Sequence, residues 1–428
     1  MATVRKTKSA GKRHEHPLVA VDIGSSGIRV MAAEKQGDIL HVLGCETLQK
    51  YGFVEKGIVV QTSEVGIQLS RLLHLLNNRI GGSEDQPLDR VFVTVGGKLL
   101  QLCEVPVKRN LISRNYISPK LKEDMENECR DKIEGKYQQM RVLRIEPLRY
   151  SLDGLEQDYE PLPTQKAREI EVLYSVFVGR VESEEKTIAG ITRSNRDVEE
   201  LWVRPEALVT ALVGKEEERE GVAIIDFGAH TTTLTIFKDG QYLHNRVVPL
   251  GGYNITKDIQ AQRIDFASAE KLKTQFGVAA EKFVKKTQTF SIRSTDTTDA
   301  RVMLTTDIVA RMIQLRLNEM VLPVMQDINA YADRIGHIYI TGGGSLLQWL
   351  PEYLQEMTSL PVEFGSHSEW LSTDAPDEYY HPRYASLIGT LALGADYREH
   401  HSVGDVKVPK PFWEKAKDWV ELNFTPQD

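Results

Sequence analysis

Cysteine is scarce in this chain, and its few copies exclude two common uses of the residue. The three cysteines, Cys45, Cys103 and Cys129, have no metal-ligand spacing, and their odd number does not indicate a disulfide framework. A reducing compartment fits this usage best. Apolar runs of roughly 18–20 residues, which a membrane-spanning helix requires, are also absent. The sequence therefore predicts neither a disulfide-rich secreted domain nor an integral membrane protein.

Positive charge is in deficit as well. The formal net charge of −8 argues against general nucleic-acid binding. The 428 residues, 41% hydrophobic and 27% charged, are enough for two or more domains with proper cores. Residues 1–17 are basic, but they lack the apolar stretch of a secretory signal. We expect a disordered, solvated tail there.

The most informative features present are three glycine-containing turns, each preceded by an apolar strand. The first two are Val19–Val30 (VAVDIGSSGIRV) and Ala223–Phe237 (AIIDFGAHTTTLTIF). Each has alternating apolar residues, an aspartate at the strand end (Asp22 and Asp226) and a turn with hydroxyl groups. Backbone N–H groups of such a turn can converge on a phosphate, and the carboxylate can hold water around Mg²⁺. Two such hairpins predict two similar lobes that hold one polyphosphate.

The third turn lies in His337–Leu347 (HIYITGGGSLL), where a strand leads through three glycines into a predicted helix. Glycine has no Cβ, so the backbone can approach a nucleoside closely. The three turns, in this order, predict an α/β protein with a nucleotide cleft between two actin-like lobes.

The pattern of elements predicts seven segments along the chain. They are a disordered basic tail (1–17), the first part of lobe 1 (18–87), an inserted α+β subdomain (88–182), a return to lobe 1 (183–215), lobe 2 (216–397), a linker (398–411) and an amphipathic C-terminal helix (412–428).

The C-terminal helix has an apolar face that needs a covering surface. The residues predicted to enter a membrane are Phe412, Trp413, Trp419, Val420 and Phe424. Membrane-surface helices usually carry excess lysine and arginine, whereas charges between 410 and 424 balance to zero. Insertion of one copy should therefore be weak, and many copies in a filament would strengthen it through avidity. Docking of this helix onto protein remains the alternative.

These motifs resemble those of the FtsA family, the bacterial cell-division branch of the actin/Hsp70 superfamily. The three turns resemble its phosphate-1, phosphate-2 and adenosine motifs, and the insert lies between the two phosphate motifs, as it does in that family. Further matches are RVLRIEPLRYSLDG (141–154), GGYNITKDI (251–259) and YASLIGTLALG (384–394). The resemblance spans about 18–397. It implies an actin-like two-lobed ATPase fold with an inserted subdomain of the SHS2 type.

The resemblance also implies a function. FtsA-like proteins bind ATP with Mg²⁺ and form filaments on the cytoplasmic side of the bacterial inner membrane at the division site. There they tether the C-terminal tail of FtsZ, and the insert contacts other division proteins. By position, Asp22 and Asp226 would hold the metal, and Arg311 would lie in the pocket for the FtsZ tail. The residues that would contact the nucleotide are Asp22, Gly24, Ser25, Ser26, Asp226, Gly228, Thr231, Thr232, Gly251, Gly252, Glu270, Lys273, Gly342, Gly343, Gly344 and Ser345.

The second hairpin departs from the family pattern. Ala229 and His230 replace two glycines, Thr233 stands where an acidic residue is usual, and no residue is evident as a general base. We expect nucleotide binding with weak or absent hydrolysis, and His230 as a local hydrogen-bonding side chain. Two other functions remain open, a small-molecule kinase of the same superfamily and an actin-like pilus-assembly protein. The kinase would need an acidic base and a substrate pocket, and the terminal helix favours cell division over pilus assembly.

Overall fold

The computed structural model describes residues 17–82, 88–157, 164–296 and 300–401. The predicted C-terminal helix, with its five membrane residues, lies outside the described residues. So do residues 1–16 of the basic tail and most of the linker, from 402 onwards. None of the helices in the described ranges is long and apolar enough to cross a membrane.

The first part of the described chain contains strands of the first lobe and of the insert. In chain order its elements are β1 (Leu18–Gly24), β2 (Gly27–Gln36), β3 (Ile39–Gln49), β4 (Val54–Glu55), β5 (Ile58–Val59), α1 (Thr62–Arg79), β6 (Arg90–Val95), β7 (Gln101–Tyr116), α2 (Pro119–Lys136), β8 (Met140–Leu152), β9 (Leu155–Gln157), β10 (Lys166–Arg180), α3 (Val181–Thr192), β11 (Asp197–Val203) and α4 (Arg204–Leu212).

The second part begins with a short helix and ends with a long one. Its elements are α5 (Lys215–Glu220), β12 (Val222–Phe227), β13 (Thr232–Lys238), β14 (Gln241–Val248), α6 (Gly252–Gln260), α7 (Phe266–Phe276), β15 (Thr289–Arg293), β16 (Arg301–Thr305), α8 (Thr306–Ala330), β17 (His337–Thr341), α9 (Leu350–Gln355), β18 (Val362–Phe364) and α10 (Ala385–His400).

Two five-stranded sheets with the same topology form the centre of the molecule. Their strand orders are β11-β6-β1-β2-β3 and β14-β13-β12-β17-β18. In the first sheet β1, β2 and β3 form an antiparallel meander, and β6 and β11 run parallel to β1. In the second sheet β12, β13 and β14 form the meander, and β17 and β18 run parallel to β12. The phosphate-type hairpins are therefore the same structural unit, used once in each lobe.

Helices cover both faces of the first sheet, so its first strand is buried and apolar at successive positions. The prediction of alternating apolar residues was wrong for this strand. Val19 and Val21 pack in one cluster with Leu69 of α1. Leu18 and Ala20, on the opposite face, pack with residues of α10 that include Leu391. This double burial fixes the register of β1 and hence the position of the turn that follows it.

Two predicted domain boundaries were wrong. Residues 90–95, assigned to the insert, form β6 in the centre of the first sheet, where Val93 pairs with Val21 of β1. The segment RVFVTV is buried at nearly every position, as a central parallel strand must be. Residues 385–400, assigned largely to the second lobe, form α10, which packs on the first lobe. The other predicted boundaries remain predictions.

The insert contains a four-stranded sheet of order β7-β10-β8-β9, and α2 packs against it. The helix buries Met125, Cys129 and Ile133 against the sheet. The insert is fastened to both lobes by polar contacts. Arg144 Nε lies 3.1 Å from Glu206 Oε1 of α4, and Gln241 Nε2 donates a hydrogen bond of 2.7 Å to the Leu148 carbonyl.

Candidate functional site

A cavity of about 390 Å³ lies between the two lobes, and residues of all three glycine-containing turns line it. This volume is within the range of small-molecule sites. Thirteen of the sixteen residues predicted to contact a nucleotide line it. They are Asp22, Gly24, Ser25, Ser26, Asp226, Gly228, Thr231, Gly252, Glu270, Lys273, Gly342, Gly343 and Gly344.

Three predicted contact residues, Thr232, Gly251 and Ser345, lie behind the cavity wall. Thr232 Oγ1 donates a hydrogen bond of 3.0 Å to the Leu250 carbonyl. Ser345 Oγ donates one of 2.7 Å to the Gly342 carbonyl, and Gly251 N donates one of 3.0 Å to the side chain of Asn254. These groups hold the turns in shape, so the prediction that they contact ligand directly is not supported.

The first turn offers hydroxyl and amide donors to an anion. Gly24 and Gly27 close the turn as the last pair of the β1–β2 ladder, with Ser25 and Ser26 between them. Ser25 Oγ accepts a hydrogen bond of 3.2 Å from Gly57 N. Its own hydrogen therefore remains available to donate, which is what a phosphate oxygen requires.

The third turn differs from the prediction of a glycine turn that leads directly into a helix. Gly343–Leu346 form a single 3₁₀ turn, and the following α-helix α9 begins only at Leu350. The glycines thus approach the cavity as a close-packed backbone wall and not as a helix N-terminus. Such a wall suits contact with a flat nucleoside better than it suits charge stabilisation.

Lys273 is held in a polar cluster at the second-lobe side of the cavity. Its Nζ lies 3.0 Å from the Gly252 carbonyl, 2.8 Å from Thr256 Oγ1 and 2.8 Å from Glu270 Oε2. Burial lowers the pKa of Lys273, while the neighbouring Glu270 carboxylate opposes that shift. The cluster fixes a cation and a carboxylate at two of the positions predicted to contact the nucleotide.

The two carboxylates predicted to hold Mg²⁺ are paired with arginines. Arg204, which sequence reasoning missed, contacts Asp22 through one guanidinium nitrogen, and its Nη1 lies 3.5 Å from Asp226 Oδ2. Arg29 Nη1 lies 3.0 Å from Asp22 Oδ2. Burial favours the neutral acid at Asp22, but Arg204 and Arg29 outweigh it and lower the pKa of Asp22. Burial raises the pKa of Asp226, with Arg204 in partial opposition.

This arrangement does not fit a divalent metal at the predicted position. A Mg²⁺ ion needs carboxylate oxygens that face it or its water shell. Here guanidinium nitrogens of Arg204 and Arg29 contact both oxygens of Asp22, and Arg204 Nη1 lies 3.5 Å from Oδ2 of Asp226. Within the described ranges no cluster of three or more His, Cys, Asp and Glu residues could hold a metal ion. The assignment of Asp22 and Asp226 as metal ligands therefore disagrees with the geometry.

Aromatic side chains close the cavity across the two lobes. Tyr51 of the first lobe lies 5.2 Å from Tyr253 and 5.3 Å from Phe266, ring centre to ring centre. His230 lies 4.4 Å from Tyr253, and its Nδ1 is 3.4 Å from the amide nitrogen of Lys56. Burial lowers the pKa of His230, which favours the neutral ring that can accept this bond. The expected local hydrogen-bonding role of His230 therefore has a partner.

Among the cavity residues that the sequence analysis did not predict, Arg204 has a signal in the sequence. Arg204 follows the buried strand β11 directly, and in a parallel sheet the carboxyl ends of strands gather at one edge. Arg383 and Tyr253 also line the cavity. Tyr253 lies in the matched segment GGYNITKDI but was not singled out, and nothing in the local sequence distinguishes Arg383. Arg311, the predicted partner residue, lies on the exposed side of α8 and does not line the cavity.

Two lobes around a cleft, each built on a five-stranded sheet of the same topology, define the actin-like class of proteins. Solved structures with this fold superpose on the chain. A chain of the PilM–PilN type IV pilus biogenesis complex superposes with a TM-score of 0.64 at 17% identity, over 90% of this chain and 99% of that one. MreB5 of Spiroplasma citri bound to ADP gives 0.52 at 11% identity, over 91% and 99%. The predicted actin-like fold is confirmed.

Within this class the chain is FtsA-like. The family model of cell division protein FtsA matches residues 223–389, and that of type IV pilus assembly protein PilM matches residues 138–285. Cell division protein FtsA of Bacillus subtilis is 24% identical over 81% of this chain and 78% of the relative. FtsA of Pseudomonas aeruginosa is 24% identical over 95% and 98%. The resemblance to FtsA drawn from the motifs is confirmed over most of the chain.

Proposed function

We propose that this chain is an ATP-binding, actin-like scaffold of bacterial cell division. In this proposal it polymerises at the cytoplasmic face of the inner membrane and tethers the FtsZ ring there. The observation that carries the proposal is the cavity between the lobes, lined by both phosphate-type hairpins and by the glycine wall. The similarity to FtsA proteins supports cell division as the setting.

Nucleotide binding follows from the donors that the cavity collects. Amides and hydroxyls of the two turns would surround phosphates, while Glu270 and Lys273 would contact base and ribose beside the glycine wall. A relative of the same fold, MreB5, has been solved with ADP and with AMPPNP, which supports an adenine nucleotide as the ligand. Since no general base is evident, we expect hydrolysis to be weak or absent.

Attachment to FtsZ would use the exposed side of α8. Ile308, Arg311 and Leu315 are spaced three and four residues apart, so they share one face of the helix. Ile308 and Leu315 are 44% and 62% exposed, an unusual pairing of apolar side chains with a surface arginine. An apolar peptide with a carboxylate, such as the FtsZ tail, would fit this face. The insert would contact other division proteins.

Membrane attachment would use the predicted C-terminal helix, which begins at about Phe412. Its apolar face and the balance of charges between residues 410 and 424 imply weak insertion by one copy. Filament formation would bring many copies to the membrane together, and the combined affinity would then be sufficient.

Electron microscopy on an anionic lipid monolayer with ATP tests the proposal as a whole. The full-length protein is compared with a version that ends at Val408 and lacks the helix. We expect lipid-bound filaments from the full-length protein and none on lipid from the shortened one. Failure of both versions to assemble or to bind lipid would contradict the scaffold.

A pilus-assembly function is the second candidate, because the PilM family model matches residues 138–285 and the PilM chain shares the fold. Binding assays with an FtsZ tail peptide and with a PilN peptide separate the two. Selective binding of the PilN peptide would replace the cell-division proposal. No observation favours the kinase alternative.

A further inference from the structure

Arg204 joins the two hairpins at the point where a metal ion was predicted. Its guanidinium contacts Asp22 of the first lobe and lies 3.5 Å from Asp226 of the second. Both carboxylates are almost fully buried, with side chains 6% and 9% exposed, whereas the Arg204 side chain is 25% exposed. One guanidinium therefore lies between the two carboxylates while it remains accessible from the cavity that it lines.

The backbone holds Arg204 at this point. It is the first residue of α4 and follows β11 directly, with Pro205 next in the helix. β11 runs parallel to β6, and β6 runs parallel to β1, the strand that carries Asp22. The ends of these strands meet at one edge of the sheet, so Arg204 belongs to the rigid frame of the cleft and not to a loop.

The charges around the cavity favour an anion even without a metal. Four cationic side chains, Arg29, Arg204, Lys273 and Arg383, face three acidic ones, Asp22, Asp226 and Glu270. A guanidinium keeps its charge at all physiological pH values and presents a planar fork that matches phosphate oxygens. A Mg²⁺ ion bound to the same aspartates would have to displace that guanidinium, or lie beside it against electrostatic repulsion.

We propose that Arg204 takes the place of the divalent cation, so that the cleft binds the phosphates of a nucleoside di- or triphosphate without Mg²⁺. This inference rests on the nucleotide site of the proposed function. In this arrangement Asp22 and Asp226 hold the arginine in position, and the arginine contacts the phosphate chain.

Calorimetric titration of the full-length protein with ATP, in excess EDTA and in excess Mg²⁺, tests the inference. We expect dissociation constants that agree within about threefold, or tighter binding of the free nucleotide. Binding that weakens about tenfold or more in EDTA would overturn the role of Arg204 and leave the nucleotide site intact. An absence of binding in both buffers would overturn the nucleotide site and this inference together.

Substitutions test whether Arg204 is the residue that makes ATP binding independent of Mg²⁺. Arg204→Ala should weaken ATP binding in EDTA by at least about tenfold, because a charge-assisted contact is lost. It should also make binding depend on Mg²⁺, since the two aspartates are released. Arg219→Ala, an exposed arginine on α5, is the matched control and should bind like the wild type.

A second variant guards against poor folding of Arg204→Ala. Asp226→Asn keeps the size of the side chain and removes one predicted metal ligand. If Arg204 is the cation, this change alters the dissociation constant by the same factor in EDTA and in Mg²⁺. A loss of affinity confined to the Mg²⁺ buffer would identify Asp226 as a metal ligand and overturn the inference.

Discussion

Gly342 shows how one backbone conformation shapes the cleft. Its φ is +83°, and a Cβ atom built there would lie 2.3 Å from Asp226 Oδ1 and 2.6 Å from the Phe227 carbonyl oxygen. Only glycine adopts this φ without strain and leaves room for the carboxylate. The residue therefore fixes the distance between the third turn and the end of β12.

Gly342→Ala should accordingly lower the free energy of unfolding by about 1–3 kcal/mol, because it combines a strained φ with a backbone clash. Urea denaturation measures the effect. Gly343→Ala is the control, since a Cβ at that neighbouring position meets no atom within 4 Å, and its cost should stay within about 0.5 kcal/mol. Equal losses in both variants would contradict the packing seen at Asp226.

A second residue-scale effect concerns pH. Glu206, 4% exposed, accepts a hydrogen bond of 3.0 Å from Val203 N and faces Arg144 of the insert. Burial raises the pKa of Glu206 from 4.5 to about 7, although Arg144 opposes the shift. The folded state therefore retains a proton that the unfolded state has lost between these values. Stability contributed by Glu206 is present below pH 4.5 and declines as pH rises to about 7.

Glu206→Gln should remove that decline, because an amide does not titrate. Relative to the wild type, the variant should gain about 1–3 kcal/mol between about pH 5 and pH 7.5 in urea denaturation. Glu216→Gln, on the exposed side of α5, should keep the wild-type dependence. A variant that declines as steeply as the wild type would show that Glu206 is ionised in the folded protein at acidic pH.

At the scale of elements, α8 combines a buried face with an exposed one, which is the face that we propose binds a partner. Val309, Ile313 and Leu317 are buried in the core of the second lobe, and this packing orients Arg311 and Leu315 outward. Because the helix is anchored along its length, its outer face is a rigid surface and does not need to fold upon binding. Changes on that face should therefore alter partner affinity without altering stability.

Arg311→Glu should weaken binding of an FtsZ tail peptide by about tenfold or more, since it replaces an attractive charge with a repulsive one. Fluorescence anisotropy of a labelled peptide measures the affinity. Arg219→Glu makes the same charge change on α5 and should leave peptide binding unchanged. Equal affinities for the wild type and Arg311→Glu would exclude this face of α8 as the FtsZ site.

At the scale of the whole molecule, the sequence predicted features whose signals lie close together in the chain and missed those that join distant residues. The hairpins that carry Asp22 and Asp226 combine an apolar strand with a glycine turn, and these two signals lie next to each other in the chain. The pairing of Arg204 with Asp22 joins residues 182 positions apart. The membership of β6 in the first sheet likewise depends on which strand it meets. Neither is present in any short window of sequence.

The contact between the lobes is also non-local, and it carries the last prediction. Tyr51 reaches across the cleft to Tyr253 and Phe266, beside the bond from Lys56 N to His230. Each aromatic pair contributes about 0.5–1.5 kcal/mol beyond its buried area. Tyr51→Ala should therefore favour a more open cleft, seen by small-angle scattering as a larger radius of gyration without nucleotide. The same loss should weaken ATP binding by about tenfold.

Tyr137→Ala removes an exposed tyrosine from the insert and serves as the control for loss of a ring. It should leave both the scattering curve and the affinity unchanged. If Tyr51→Ala weakened binding without any change in scattering, Tyr51 would act only as a ligand contact. The lobes would then be held at their observed separation by other contacts, which include the guanidinium of Arg204 between Asp22 and Asp226.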